Sequence, residues 1–237
     1  MADLWNGAGP ILLYFLICAS SALLLHAFFP IPSEVFRKLL HMILLGSLSV
    51  WVFAFPTWQM SALTAVAFAL LVYPLLSLAE HLKGFSQLLT ERKTGEIKHS
   101  LLLVFAMYAL VISICWGWLG DKLLGLASIY AWGFGHAAAA LVGKRFGKHP
   151  LRWKGLNGKK TAEGTFAMFA VSFCSVVCVL MLRGGLPFAG LLFIAAITAA
   201  VSALVELYTP NGMDTFTCPM AAMAVLLPLV ALFGGLL

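Results

Sequence analysis

Long apolar runs separated by short polar breaks set the pattern of this chain. The first run extends from about Pro10 to Phe29 and stops at Pro30-Ile31-Pro32-Ser33, where the prolines break it and Ser33 is placed to cap the next element. A second run, about Val35 to Phe55, opens with Arg37-Lys38-Leu39-Leu40-His41 and ends at Pro56; a third reaches from Thr57 to about Ala79. After a polar stretch over 80–98, a fourth run covers about His99 to Leu119, and Gly120-Asp121-Lys122 forms a minimal turn. The fifth run, about Leu123 to Val142, carries His136 and leads into a basic loop from Gly143 to Lys160. Runs six and seven span about Thr161 to Leu182 and Pro187 to Glu206, and a polar turn over 207–214 precedes an eighth.

Runs of ~20 apolar residues cross the hydrocarbon core as helices. Composition agrees: hydrophobic residues make up 62% of the 237 and charged residues 10%, where a soluble domain carries about a quarter charged. Backbone polar groups must be satisfied within lipid, and the short alternating segments of a membrane β-barrel are absent. The prediction is an all-α, polytopic helical bundle of about eight transmembrane helices in a single domain, 1–237. Five cysteines without a CxxC pair give no disulfide framework, and Cys174 and Cys178, four apart on one helix face, read as helix-packing residues.

Charge tests the count of spans. With eight, thirteen of the fifteen Lys and Arg fall on one side, and only Lys122 and Arg183 on the other. Short loops rich in Lys and Arg stay cytoplasmic, so both termini are expected outside. The cytoplasmic-face segments 80–98, 143–160 and 207–214 then form the active-site side. A solute carrier would show polar groups at mid-membrane and on both sides; one-sided chemistry points to an enzyme acting on a lipid headgroup. Nothing in the pattern calls for a nucleic-acid partner.

The candidate residues follow. Arg37 and Lys38 at a helix start contact lipid phosphate or an anionic ligand, with His41 one turn deeper on the same face. Glu91 and Glu96 flank Arg92 in a mixed-sign stretch that is either solvated loop or, through its two carboxylates, a place for Mg²⁺. His136, after Gly133 and Gly135 and before four alanines, is either a helix–helix hydrogen bond or a functional group approached closely by something bulky. The loop Gly143–Lys160 holds seven cations and no acid. It is a polybasic, lipid-attracting segment or a phosphate cradle in which Gly143, Gly147, Gly155 and Gly158 admit a ligand and Lys159-Lys160-Thr161 enters a helix N-terminus. Glu163 is a helix-start residue or a metal ligand. Turn capping explains Asp214; it explains Glu206 poorly, because a carboxylate at the end of an apolar helix is costly unless paired or metal-bound.

Four motifs occur in order: Arg37-Lys38-Leu39-Leu40-His41; Gly135-His136-Ala137-Ala138-Ala139-Ala140-Leu141-Val142-Gly143-Lys144-Arg145-Phe146-Gly147; Lys159-Lys160-Thr161-Ala162-Glu163-Gly164-Thr165; and Glu206 through Asp214-Thr215-Phe216-Thr217-Cys218-Pro219. Together they resemble the phytol kinase/dolichol kinase family of CTP-dependent lipid kinases, distantly akin to phosphatidate cytidylyltransferases. The resemblance implies transfer of the γ-phosphoryl group of CTP, or another nucleoside triphosphate, to a long-chain alcohol, with Mg²⁺ as cofactor. It implies that Lys144, Arg145, Lys159 and Lys160, with Thr161, bind the triphosphate, and that Glu163, Glu206 and Asp214 hold the metal. Two positions depart from the family pattern: His136 stands where the family has Asp, and Thr215 where Asn is usual. The alternatives are a cytidylyltransferase acting on a lipid phosphate and a catalytically silent lipid-binding variant.

Overall fold

The chain folds as eight helices long and apolar enough to cross a membrane, among the described residues, and the expected all-helical architecture is what the computed structural model shows. It describes residues 2–81, 85, 95–152, 156, 160–209 and 212–234. The helices are α1 (Ala2–Phe28), α2 (Ser33–Ala54), α3 (Trp58–Ala79), α4 (Glu96–Val111, continued by a π-helical stretch Ile112–Trp118), α5 (Lys122–Phe146), α6 (Ala162–Arg183), α7 (Phe188–Tyr208) and α8 (Asp214–Leu232). Two compact units make up the chain, Met1–Gly120 and Asp121–Leu237. Glu91, Arg92 and Lys159 lie outside the described residues.

The elements start and stop for local reasons. Asp121 caps α5, its Oδ1 accepting from Leu123 N (3.0 Å) and Leu124 N (3.2 Å). Thr57 and Thr161 do the same for α3 and α6 through their hydroxyls. Pro32, not Ser33, takes the cap position of α2, so Ser33 is that helix's first residue. Pro10, Pro74, Pro219 and Pro228 sit inside helices, as membrane spans tolerate.

In the Met1–Gly120 unit, α2 is tied to its neighbours by polar bonds to its own carbonyls. Tyr14 of α1 donates to Ile43 O and Tyr108 of α4 to Leu44 O, each at 2.7 Å. Trp51 Nε1 donates to Ser61 O (2.9 Å) while Ser61 Oγ donates back to Trp51 O (3.2 Å). Water is absent from the bilayer core, so such bonds satisfy groups that lipid cannot. Trp51, Phe68, Phe105 and Tyr108 pack around them in edge and tilted arrangements.

In the Asp121–Leu237 unit, α5 packs on α6 and α8, α6 on α7, and α7 on α8. Its α5–α6 contact is a seam of small residues. A Cβ on Gly164 would lie 2.9 Å from Ala139 O and 3.3 Å from Gly143 Cα, and one on Gly135 would lie 3.1 Å from Met168 O. Close backbone approach is how membrane helices associate when lipid removes the hydrophobic drive. Ser172 Oγ crosses the seam to Ala131 O. At the far end of both helices, Arg183 Nε donates to Asp121 Oδ2 at 2.5 Å, pairing one of the two cations predicted for the outer side.

Three expectations are corrected here. The fifth span runs past Val142 to Phe146, because Gly143 continues the helix against Thr161 and Gly164 rather than opening a ligand cradle. Gly147 N–H, expected to face a ligand, donates to Gly143 O (3.1 Å). Cys174 and Cys178 are exposed on α6, so among the described residues they do not serve the helix packing that their four-residue spacing suggested.

The seam makes a stability prediction. Gly164→Ala places its methyl against a backbone carbonyl that cannot swing aside, and overpacking of this kind costs about 1–3 kcal/mol. Thermal unfolding in detergent should show a lower midpoint for Gly164→Ala, while Gly9→Ala, which meets nothing within 4 Å, should match or slightly exceed the parent. Equal midpoints for Gly164→Ala and the parent would show that the seam is not close-packed.

Candidate active site

A carboxylate on the last turn of a membrane-spanning helix needs a partner, and Glu206 on α7 has two. The residue is 4% exposed. Lys160, two residues before α6 begins, donates its ammonium to Glu206 Oε1, and His136 Nδ1 of α5 lies 3.5 Å from the same oxygen. That imidazole nitrogen also lies 3.1 Å from Asp214 Oδ2, at the first residue of α8. Asp214 Oδ1 accepts from Gly212 N at 3.1 Å, so the turn between α7 and α8 orients it. Thr209 and Thr217 hydroxyls, 3.1 Å apart, brace the same turn. Four elements thus deliver two acids, one base and one cation to a single spot. The imidazole stands between two carboxylates that would otherwise repel.

The loop that brings Lys160 there is pinched at its base. Leu151 N donates to Lys160 O (2.9 Å) and Ala162 N to His149 O (3.0 Å), and Pro150 bridges antiparallel to Thr161. The chain therefore leaves α5, turns out, and returns beside its own departure point. Thr161 caps α6 with its hydroxyl on Gly164 N (3.2 Å). Lys160 is fixed by the pinch on one side and the cap on the other, which limits the side-chain entropy lost in reaching Glu206.

Glu163 is directed elsewhere. Its Oε1 accepts from Lys148 N (3.1 Å) and lies 2.6 Å from His149 Nδ1, and its Oε2 accepts from His149 N (3.3 Å). Among the described residues, no group of three or more His, Cys, Asp and Glu side chains has a metal-holding arrangement. Two convergent carboxylates, Glu206 and Asp214, remain. That donor set suits Mg²⁺, which takes one or two carboxylates and completes its shell with phosphate oxygens and water.

No protein-family model matches the chain, and no solved structure matches it at significance. Two curated proteins do. The phytol kinase of Synechocystis sp. is 29% identical over 231 residues, covering 92% of this chain and 89% of that protein. The dolichol kinase of Saccharomyces cerevisiae is 45% identical over 51 residues, 22% of this chain and 9% of that protein. The chain is a homologue of the phytol and dolichol kinases.

In this kinase homologue three of the four motifs lie in the Asp121–Leu237 unit, and not all of their residues reach one cluster. His136, Lys160, Glu206 and Asp214 come together, whereas Glu163 makes no contact with the two acids. Lys144 and Arg145 occupy the exposed last turn of α5, the guanidinium 5.6 Å over the Phe146 ring. Arg37, Lys38, His41 and Glu96 belong to the other unit: Arg37 pairs with Glu34 at 2.9 Å, Lys38 is buried, His41 is half-buried, and Glu96 opens α4. Thr215 is buried on α8. The sequence reading passed over His149, which sits inside a loop read only for its cations. The signal available was a histidine beside a proline at the foot of a loop, with an acid shortly after the loop's end.

Breaking the Lys160–Glu206 pair from one side leaves a buried charge uncompensated, which costs about 3–5 kcal/mol for fully buried pairs and less here because Lys160 is partly exposed. Chemical unfolding of Lys160→Met should therefore show a loss of about 2–3 kcal/mol, largely recovered in the double variant Lys160→Met/Glu206→Gln. Strict additivity in that cycle would show that the two side chains do not interact.

Proposed function

We propose that this multi-pass membrane protein is a lipid kinase that transfers the γ-phosphoryl group of CTP to a membrane-embedded long-chain alcohol of the phytol, polyprenol or diacylglycerol type. The convergence of Glu206 and Asp214 on His136, with Lys160 beside them, carries the reading, in a chain similar over nearly its whole length to a protein named for phytol phosphorylation. Phosphoryl transfer asks a protein chiefly for positioning and for neutralisation of charge on the phosphates. The cluster holds both signs at one spot, which is what such a task requires.

Glu206 and Asp214 would hold Mg²⁺, which would offset the negative charge of the triphosphate. Lys144 and Arg145 close α5 and Lys160 precedes α6, so with Lys159 of the intervening loop they supply the cations for the phosphates. Thr161 is committed to capping and fixes the helix start that aims Lys160. The Lys and Arg distribution supports a cytoplasmic face for this site, termini outside, in a bacterial cytoplasmic membrane. His136 Nδ1 lies within 3.5 Å of one oxygen of each carboxylate, so a metal held by these acids would compete with the imidazole for the same space.

The protein in lipid nanodiscs, given CTP or ATP labelled in the γ-phosphate with a panel of long-chain alcohols, should place label in lipid. Glu206→Gln and Asp214→Asn should lower the rate at least about 10²-fold, the size of loss expected when a charge-stabilising group is removed. His136→Asp should reach half-maximal rate at a lower Mg²⁺ concentration, because a third carboxylate replaces the group competing for the first two. Label entering lipid only from the α-phosphate would establish a cytidylyltransferase instead. No labelled lipid from either the parent or His136→Asp would end the kinase reading.

A further inference from the structure

The carboxylate cluster leaves unused a second constellation, where α5 ends and α6 begins. Val142, Phe146, Phe166 and Ala167 wall a groove of about 470 Å³, with His149 and Glu163 at its rim. The volume is in the range of small-molecule sites, which combine apolar walls with a few placed polar groups. Phe146 and Phe166 are exposed, 58% and 71%. Both belong to helices that qualify as membrane spans, so the groove opens sideways toward lipid.

The polar rim has the geometry of an oriented base. His149 Nδ1 lies 2.6 Å from Glu163 Oε1, and the same carboxylate is held by the Lys148 and His149 amides at 3.1 and 3.3 Å. A carboxylate facing Nδ1 places the proton there and leaves a lone pair on Nε2, the division of roles by which a carboxylate fixes a histidine tautomer. Among the described residues, no hydrogen bond or ion pair engages Nε2. Glu163 follows Lys160 by three residues, so its Cα lies within roughly 10 Å of the Cα of the residue that contacts Glu206.

We propose that this groove binds the tail of the acceptor alcohol and that His149 Nε2 accepts the proton of its hydroxyl. The inference rests on the kinase reading above. As the hydroxyl O–H bond breaks, its proton passes to Nε2 and the alcohol oxygen bonds to the γ-phosphorus. The bond from that phosphorus to the β,γ-bridging oxygen breaks, and its electron pair leaves on the nucleoside diphosphate. Glu163 stabilises the imidazolium that results. An isoprenoid alcohol fits because it is a long apolar chain with one polar head, matching apolar walls with one polar end. A peptide in the same groove would bring backbone amides to walls that offer them no partners.

The test separates a base from a loop anchor. His149→Asn keeps a side-chain N–H for Glu163 and removes the proton acceptor. His149→Ala removes both and leaves room for free imidazole. In nanodiscs, His149→Asn should lower kcat for alcohol phosphorylation about 10²–10³-fold, the scale of general-base loss, with the nucleotide KM and unfolding midpoint unchanged. Added imidazole should restore part of the activity of His149→Ala. A phytol analogue with a diazirine in its tail should crosslink to 142–146 and 162–167. Unchanged kcat in His149→Asn, or loss only in proportion to lost stability, overturns the base role, and crosslinks confined to other helices overturn the groove. A parent chain that crosslinks here yet phosphorylates no alcohol overturns the kinase reading and the base role, and leaves the lipid groove standing.

Discussion

A carboxylate inside the boundary of a lipid-facing bundle is tolerated only when something nearby answers its charge, and Glu206 imposes that requirement on the whole second unit. Its α7 is otherwise uncharged from Phe188 onward, so the answer must come from other elements. Lys160 supplies a cation and His136 a ring nitrogen, and the same ring nitrogen reaches Asp214. Each partner drags its element along: the loop has to return after its excursion, α5 has to present one face, and the α7–α8 turn has to bring Asp214 back. The local polar bonds are the consequence. The pinch at 149–151 with 160–162 and the capping of α6 by Thr161 hold Lys160 where Glu206 needs it.

The small-residue seam is the second condition. His136 can reach across to α7 and α8 only because α5 is held by α6 at a distance that Gly135, Gly143 and Gly164 permit. Side chains there would push the helices apart, and a displacement of about 1 Å in a catalytic constellation is expensive. The two requirements are coupled through Thr161, which lies against Gly143 and Gly147, caps α6 and follows Lys160 directly. Packing and electrostatics are therefore set by neighbouring residues on one strand of chain.

The eight spans could be read from hydropathy because lipid makes a simple demand, a run of apolar residues long enough to cross. Helix ends were less legible. α5 was expected to stop at Val142, since Gly143-Lys144-Arg145 looks like the opening of a basic loop, yet a glycine that packs against Thr161 continues a helix as readily as it ends one. The same ambiguity misread Gly147 as a ligand-facing amide. Cys174 and Cys178 share a face, as their spacing required, but spacing does not say whether a face meets a neighbour or lipid, and this one is exposed. In the site, the need for a partner at Glu206 was readable from its position, whereas the identity of that partner was not. Lys160 stands forty-six residues away and meets it only through the loop's return. Glu163 was expected as a third metal-holding acid from the resemblance; the Lys148 and His149 amides claim its carboxylate instead.

His136 changes the electrostatic character of the site. Two carboxylates at one spot, in surroundings poor in water, raise each other's cost of ionisation unless a positive group or a hydrogen-bond donor intervenes. An aspartate at 136 would make three, and such a set holds together only around a cation. With histidine the imidazole Nδ1 stands 3.1 Å from one acid and 3.5 Å from the other, so the two carboxylates share a neighbour that carries no negative charge of its own. That arrangement works against metal affinity, because a site already occupied by its own side chains must give up those contacts to admit an ion. Lys160 adds to the same effect by taking Glu206 Oε1. On the proposed kinase reading, the phosphates of an arriving nucleotide would compete with Glu206 for Lys160 and so free the carboxylate for a cation. On that reading, metal and nucleotide would bind more favourably together than either alone, and His136 would add to that dependence.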